Sequence, residues 1–96
     1  MTYELSFKKS ALKEWQKLNP AVKEQFKKVL KRRLQDLHVP SVKVAGAPNL
    51  YIIKLRQLGY RLVYSVSDHA ITVGVIAIGK RNRNEVYQIA LSRLSE

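Results

Sequence analysis

Residues 51–83 read YIIKLRQLGYRLVYSVSDHAITVGVIAIGKRNR, and this stretch decides the fold. It holds three apolar runs, each bounded by turn-forming residues. Leu50 to Arg56 alternates, with Tyr51, Ile53 and Leu55 against Ile52, Lys54 and Arg56. Gln57-Leu58-Gly59 makes a turn. Tyr60 to Ser67 alternates again, with Tyr60, Leu62, Tyr64 and Val66 on one face and Arg61, Val63 and Ser65 on the other. Ser67-Asp68-His69 turns the chain once more. Ala70 to Ile78 is apolar on both faces, the pattern of a central, covered strand, and Gly79 releases the chain into Lys80-Arg81-Asn82-Arg83. A period of two predicts strands, and hairpin connections make neighbours antiparallel. The stretch also carries cations where strands usually place neutral residues. Lys54, Arg56 and Arg61 interrupt the apolar runs, and Lys80, Arg81 and Arg83 close the last one.

On the N-terminal side, Tyr3-Glu4-Leu5-Ser6-Phe7 alternates and predicts a short strand with Tyr3, Leu5 and Phe7 on one face. Ser10 or a neighbour starts a helix whose inner side is Ala11, Leu12, Trp15 and Leu18. Lys13, Glu14, Gln16 and Lys17 fall on its wet side. Asn19-Pro20 ends it and begins the next, since Asn caps well and Pro suits the first helical position. Val22, Phe26, Val29, Leu30, Leu34 and Leu37 form the stripe of that longer helix, and the two helices make a hairpin. Lys23, Lys27, Lys28, Lys31, Arg32 and Arg33 give it a basic outer face, which reads as a solvated face rather than a dedicated site. His38-Val39-Pro40-Ser41 stops the helix. Beyond the sheet, Asn82 or Asn84 caps a last helix with Val86, Ile89, Ala90 and Leu94 inward.

The expected fold class is α+β: an N-terminal strand and helical hairpin packed on a small, mainly antiparallel sheet, with a C-terminal helix. At 96 residues the chain makes one domain, 1–96, with one core. Its 46% apolar content is ordinary for a globular protein, so disorder is not the default reading. No apolar run approaches the roughly 20 residues of a membrane span, so no membrane role is expected. The N-terminus lacks the charge-then-apolar order of a signal peptide. With no cysteine there are neither disulfides nor thiolate-held metals, and a cytoplasmic location fits. The net charge of +11 points to a polyanion, above all nucleic acid, or to an acidic protein partner.

If the helical hairpin covers the face of Tyr51, Ile53 and Leu55, then Lys54 points the other way. Arg61 joins it when Tyr60, Leu62, Tyr64 and Val66 face the helices. The second face is then partly open, with Lys80, Arg81 and Arg83 at its rim and Tyr87 one helical turn beyond Arg83.

Lys54-Leu55-Arg56, Gly59 to Tyr64 (GYRLVY) and Gly79 to Tyr87 (GKRNRNEVY) resemble the RelE toxins of bacterial type II toxin–antitoxin systems. Ala11 to Trp15 and Lys17-Leu18 are similar to them too, so the likeness spans essentially the whole chain. It implies the RelE-like fold of the RelE/ParE superfamily and a metal-independent, cofactor-free endoribonuclease that cuts mRNA in the ribosomal A site and inhibits translation under stress. The substrate's 2′-hydroxyl attacks the adjacent phosphate, leaving a 2′,3′-cyclic phosphate and a 5′-hydroxyl. The resemblance makes Lys54 a base or charge stabiliser and Arg61 the phosphate and transition-state ligand. Arg81 assists leaving-group protonation or charge neutralisation, and Tyr87 orients or stacks on the substrate nucleotide. Arg56, Lys80 and Arg83 bind RNA. The implied partners are a RelB-like cognate antitoxin, the ribosome with its mRNA, and operator DNA reached through the antitoxin.

Lysine is an awkward base, because its ordinary pKa is near 10.4. His38 and His69 are the usual nuclease residues, but both fall in predicted loops away from the patch. The family pattern often has lysine where this chain has Ile52, and arginine where it has Ala45. The competing readings are a ParE-like toxin acting on DNA gyrase and an RNA-binding module without catalysis.

Overall fold

The structure, a computed structural model, describes residues 4–34, 49–67, 69, 71–80 and 85–94. Along the chain these form β1 (Glu4–Phe7), α1 (Lys9–Gln16), α2 (Pro20–Arg33), β2 (Leu50–Leu55), β3 (Tyr60–Ser67), β4 (Thr72–Lys80) and α3 (Glu85–Leu94). The fold is the expected α+β.

The alternating runs pair as their short turns require. β2 lies antiparallel to β3, and β3 antiparallel to β4. The sheet order is β1-β4-β3-β2, with β1 parallel to β4 along Thr72 to Val75. The apolar run of β4 is therefore central, as its two apolar faces demand. Two details differ from expectation. β4 does not stop at Ile78, because Arg61 and Tyr60 of β3 pair with Gly79 and Lys80 and hold the strand to its end. A register shift opposite Val63 and Tyr64 also lets the neighbours Ile76 and Ala77 both face α3.

The helical hairpin forms for local reasons. Asn19 Oδ1 accepts the Val22 N–H at 3.0 Å, and Pro20 takes the first turn of α2, where its missing N–H is harmless. α1 begins at Lys9, the neighbour of Ser10, with Lys8 at its N-cap and no side-chain capping hydrogen bond. Val22, Phe26 and Leu30 of α2 and Ala11 and Leu18 from the α1 side bury against Tyr51, Ile53, Leu62, Tyr64, Val66, Val73, Val75 and Ile78. Fully burying a side chain such as Phe26 contributes about 1.5–3 kcal/mol. Leu12 was expected inside, yet it is exposed, because Ala11, Trp15 and Leu18 already fill the line of α1 that meets the sheet. Leu5 of β1 is exposed as well, while Phe7 packs on Trp15 with ring centroids 5.4 Å apart. Leu37 and Tyr3 lie outside the described residues.

The second sheet face is less open than expected. α3 lies on it, burying Leu50, Ile52, Val63, Ile76 and Ala77 beneath Val86 and Ala90, with Ile89 partly buried. The sheet thus separates two apolar layers. Ile52 is core here, 4% exposed, and its apolar side chain belongs to the contact with α3.

Candidate functional site

Lys54 and Arg61 stand directly opposite each other on β2 and β3. Like charges in that relation repel, costing about 0.2–1 kcal/mol. An anion received between the two side chains would relieve that repulsion. On its other side Arg61 pairs with Gly79 of β4, a position with no side chain to compete for the space above the sheet. The Arg61 guanidinium carbon lies 5.5 Å from the centre of the Tyr87 ring, a cation–π contact that fixes the arginine head.

Gly79 also sets how closely α3 approaches. A Cβ there would fall 3.0 Å from Cγ2 of Val86, so the first turn of α3 rests on bare backbone. Tyr87 is the next residue, and this contact is what brings it over Arg61. The far end of α3 is tied differently. Arg93 donates through Nη1 to the Ile76 carbonyl at 2.8 Å and to Glu14 Oε1 at 2.8 Å, and through Nη2 to Glu14 Oε2 at 3.2 Å. Glu14 Oε1 also accepts the Ile78 N–H at 3.1 Å. Glu14, expected on the wet side of α1, instead joins the helical layers on the two faces of the sheet. Neither it nor Arg93 stands out in the sequence, and only their three-dimensional proximity reveals the pair.

The turn after β2 completes the site. Gly59 adopts φ 74°, and its N–H closes the turn on the Leu55 carbonyl at 2.8 Å. Without a Cβ it enters this left-handed conformation at no steric cost. Beside this turn Lys54, Leu55, Arg56, Tyr60 and Arg61 line one groove of about 210 Å³. Two cations and a fixed guanidinium in a groove can bind a phosphodiester and stabilise charge gathering on it.

Of the residues singled out in the sequence, Lys54, Arg56, Arg61 and Tyr87 come together. Lys80 is exposed at the end of β4, and its register with Tyr60 puts it on the opposite face from Arg61. Arg81, Arg83, His38 and Ala45 lie outside the described residues. His69 is exposed in the β3–β4 turn, at the end of the hairpin away from Lys54 and Arg61. Among the described residues no group of three or more His, Asp or Glu side chains is placed to hold a metal ion, and no helix is long and apolar enough to cross a membrane.

The chain is thus a small α+β domain, a sheet with helices on both faces and a basic groove beside the Arg61–Tyr87 contact at one end. The sequence model of the family described as ParE toxin of type II toxin-antitoxin system matches residues 5–85, and the chain belongs to this RelE/ParE toxin family. Within it, the chain is 49% identical to the mRNA interferase toxin RelE of Escherichia coli K12, over 98% of this chain and 99% of that one. It is 47% identical to a putative RelE-like toxin protein of E. coli, with the same coverage. Among solved structures it superposes on an arginine-to-alanine double variant of E. coli RelE in the free state, with TM-score 0.90, 47% identity and coverage of 98% of this chain and 99% of that one. It also superposes on the toxin of the intact E. coli RelBE toxin–antitoxin complex, with TM-score 0.80, 48% identity and coverage of 84% and 99%.

Proposed function

We propose that this chain, as one domain over residues 1–96, is the toxin of a type II toxin–antitoxin pair: an endoribonuclease that cuts mRNA in the A site of the ribosome. The observation that carries the reading is the Lys54–Arg61 cross-strand pair with Tyr87 over Arg61. The full-length identity to proteins named mRNA interferases supports it.

In this reading Tyr87 orients or stacks on the substrate nucleotide, and the 2′-hydroxyl on the 5′ side of the scissile phosphate attacks. The 2′-oxygen bonds to phosphorus, the P–O5′ bond breaks, and the products carry a 2′,3′-cyclic phosphate and a 5′-hydroxyl. Lys54 lies on the 2′-oxygen side, as proton acceptor or as compensating charge. Arg61 grips the phosphate oxygens through two parallel hydrogen bonds, which lysine cannot do, and stabilises the negative charge they gain. Arg81 assists the departing 5′-oxygen, and Arg56 and Arg83 track the flanking backbone, whereas Lys80, on the other sheet face, takes no part at this site. A RelB-like antitoxin covers the basic surface in the inactive complex, and that complex reaches operator DNA through the antitoxin. The site of action is the cytoplasm, where ribosomes are.

Primer extension on translated mRNA tests the reading. The expected result is A-site cuts with wild-type protein, which disappear with Arg61→Ala. The family model's ParE description favours one competing reading, a toxin that acts on DNA gyrase. No A-site cuts together with poisoned gyrase would establish that reading instead. RNA binding that never yields a cleaved product would leave an RNA-binding module.

A further inference from the structure

A second, larger groove of about 460 Å³ adjoins the site, and nothing in the chemistry above uses it. Its walls are Ala21 and Gln25 from the first turns of α2, and Lys54, Leu55, Arg56, Gln57 and Leu58 from the end of β2 and its turn. Lys54, Leu55 and Arg56 also line the smaller groove over Arg61, so the two share a wall. The order along the surface is therefore Tyr87, Arg61, Lys54, then the large groove.

Its chemistry differs from that of the phosphate site. Gln25 and Gln57 are exposed carboxamides, each offering a donor and an acceptor. Leu58 is an apolar side chain left 42% exposed at the turn. Its two cations, Lys54 and Arg56, are the ones it shares with the smaller groove over Arg61. A phosphate would leave the amides and the leucine unused, whereas a single-stranded nucleotide matches all three: backbone on the cations, base face on the leucine, base edge on the amides. The volume is also in the range of small-molecule sites, about 300–1,000 Å³.

We propose that this groove binds a base of the substrate mRNA on the 5′ side of the cut, with Gln25 and Gln57 reading its edge, and so sets part of the sequence preference. The polarity follows from Lys54. It serves the 2′-oxygen, which lies on the 5′ side of the scissile phosphate, and the groove opens beyond it. The assignment rests on the ribonuclease reading of the neighbouring site.

The test is single-turnover cleavage on purified ribosomes, with each of the two nucleotides upstream of the cut varied in turn through all four bases. Wild-type protein is expected to discriminate among bases at one of these positions. Gln25→Ala and Gln57→Ala are expected to shrink that discrimination by about tenfold, the scale of one amide–base contact. Lys31→Ala, on the exposed face of α2, is expected to leave it intact. Far-ultraviolet circular dichroism checks that each variant is folded. Unchanged preference in both glutamine variants would overturn the groove assignment, as would a wild type indifferent to both upstream bases. An equal loss of rate on every sequence would also overturn it, since the groove would then hold ribosomal RNA or shape the fold. All of these outcomes still show cleavage. A wild-type protein that yields no cyclic-phosphate ends would instead remove the ribonuclease reading, and the groove assignment with it.

Discussion

Gly79→Ala probes the contact on which the site is built. The backbone of Gly79 lies outside the left-handed region, so alanine fits it without torsional strain. Removing a glycine from a strand then stabilises by about 0.4–1 kcal/mol, through a less flexible unfolded chain. Against this, the new methyl meets Val86 Cγ2 at 3.0 Å, well short of the 3.4–4 Å of ordinary contact. Val86 is pinned in the second core, so α3 must lift by several tenths of an ångström, and overpacking of this kind costs about 1–3 kcal/mol. The cost exceeds the gain, leaving a net loss of about 1 kcal/mol. For a domain this small that lowers Tm by about 4–8 °C. Lifting the first turn also moves Tyr87 from Arg61, and since a 1 Å misplacement can cost about 100-fold, cleavage should fall by about tenfold. Thermal unfolding by circular dichroism and primer extension read the two effects. Adding Val86→Ala removes the clashing methyl, so the double variant should lose less than the two single losses combined. A Gly79→Ala protein more stable than wild type and equally active would refute the reasoning, because α3 would not then rest on residue 79.

Arg61→Ala should lower cleavage by about 10²–10³, the scale of one lost transition-state donor, and Lys31→Ala far less; equal losses in primer extension would mean that general charge, not a site, drives the reaction. Tyr87→Phe should retain most activity, because the ring keeps its place over Arg61, while Tyr87→Ala should lose it; equal losses would assign the role to the hydroxyl. Glu14→Gln and Arg93→Gln, each measured by urea unfolding and then combined, should show a coupling of about 1–2 kcal/mol, since both side chains are mostly shielded at 29% and 15% exposure. Strict additivity would show that the pair contributes nothing.

Much of this molecule can be read from local pattern. Lys54 and Arg61 fall on one sheet face because side chains alternate with a period of two, and the short turn ending in Gly59 fixes their register. Asn19-Pro20 announces α2 through its own cap. What the pattern does not carry is long-range. Glu14 and Arg93 are separated by 79 positions and have no shared periodicity, so Glu14 alone looks like any wet helix residue. That α3 covers Ile52 depends on how a terminal helix folds back, which no repeat within the strand encodes. The face of Lys80 is hidden by the register shift of β4. Ile76 and Ala77 both turn to α3, so alternation counted from the start of the strand arrives at Lys80 one step out of phase.

β1 shields only part of β4. Its pairing ends at Val75, whose carbonyl takes the Lys8 N–H at 3.0 Å, and β4 continues past it. From Ile76 to Ile78 the backbone would otherwise offer a carbonyl and an N–H to any passing strand. Arg93 occupies the first and Glu14 the second. Charged side chains thus terminate the sheet where no strand does, a known guard against edge-to-edge pairing of copies. Without Glu14, concentrated protein would gain a hydrogen-bonding template along its most apolar strand. The carboxylate then matters to solubility as much as to folding, and the defect would grow with concentration, as loss of a purely internal contact does not.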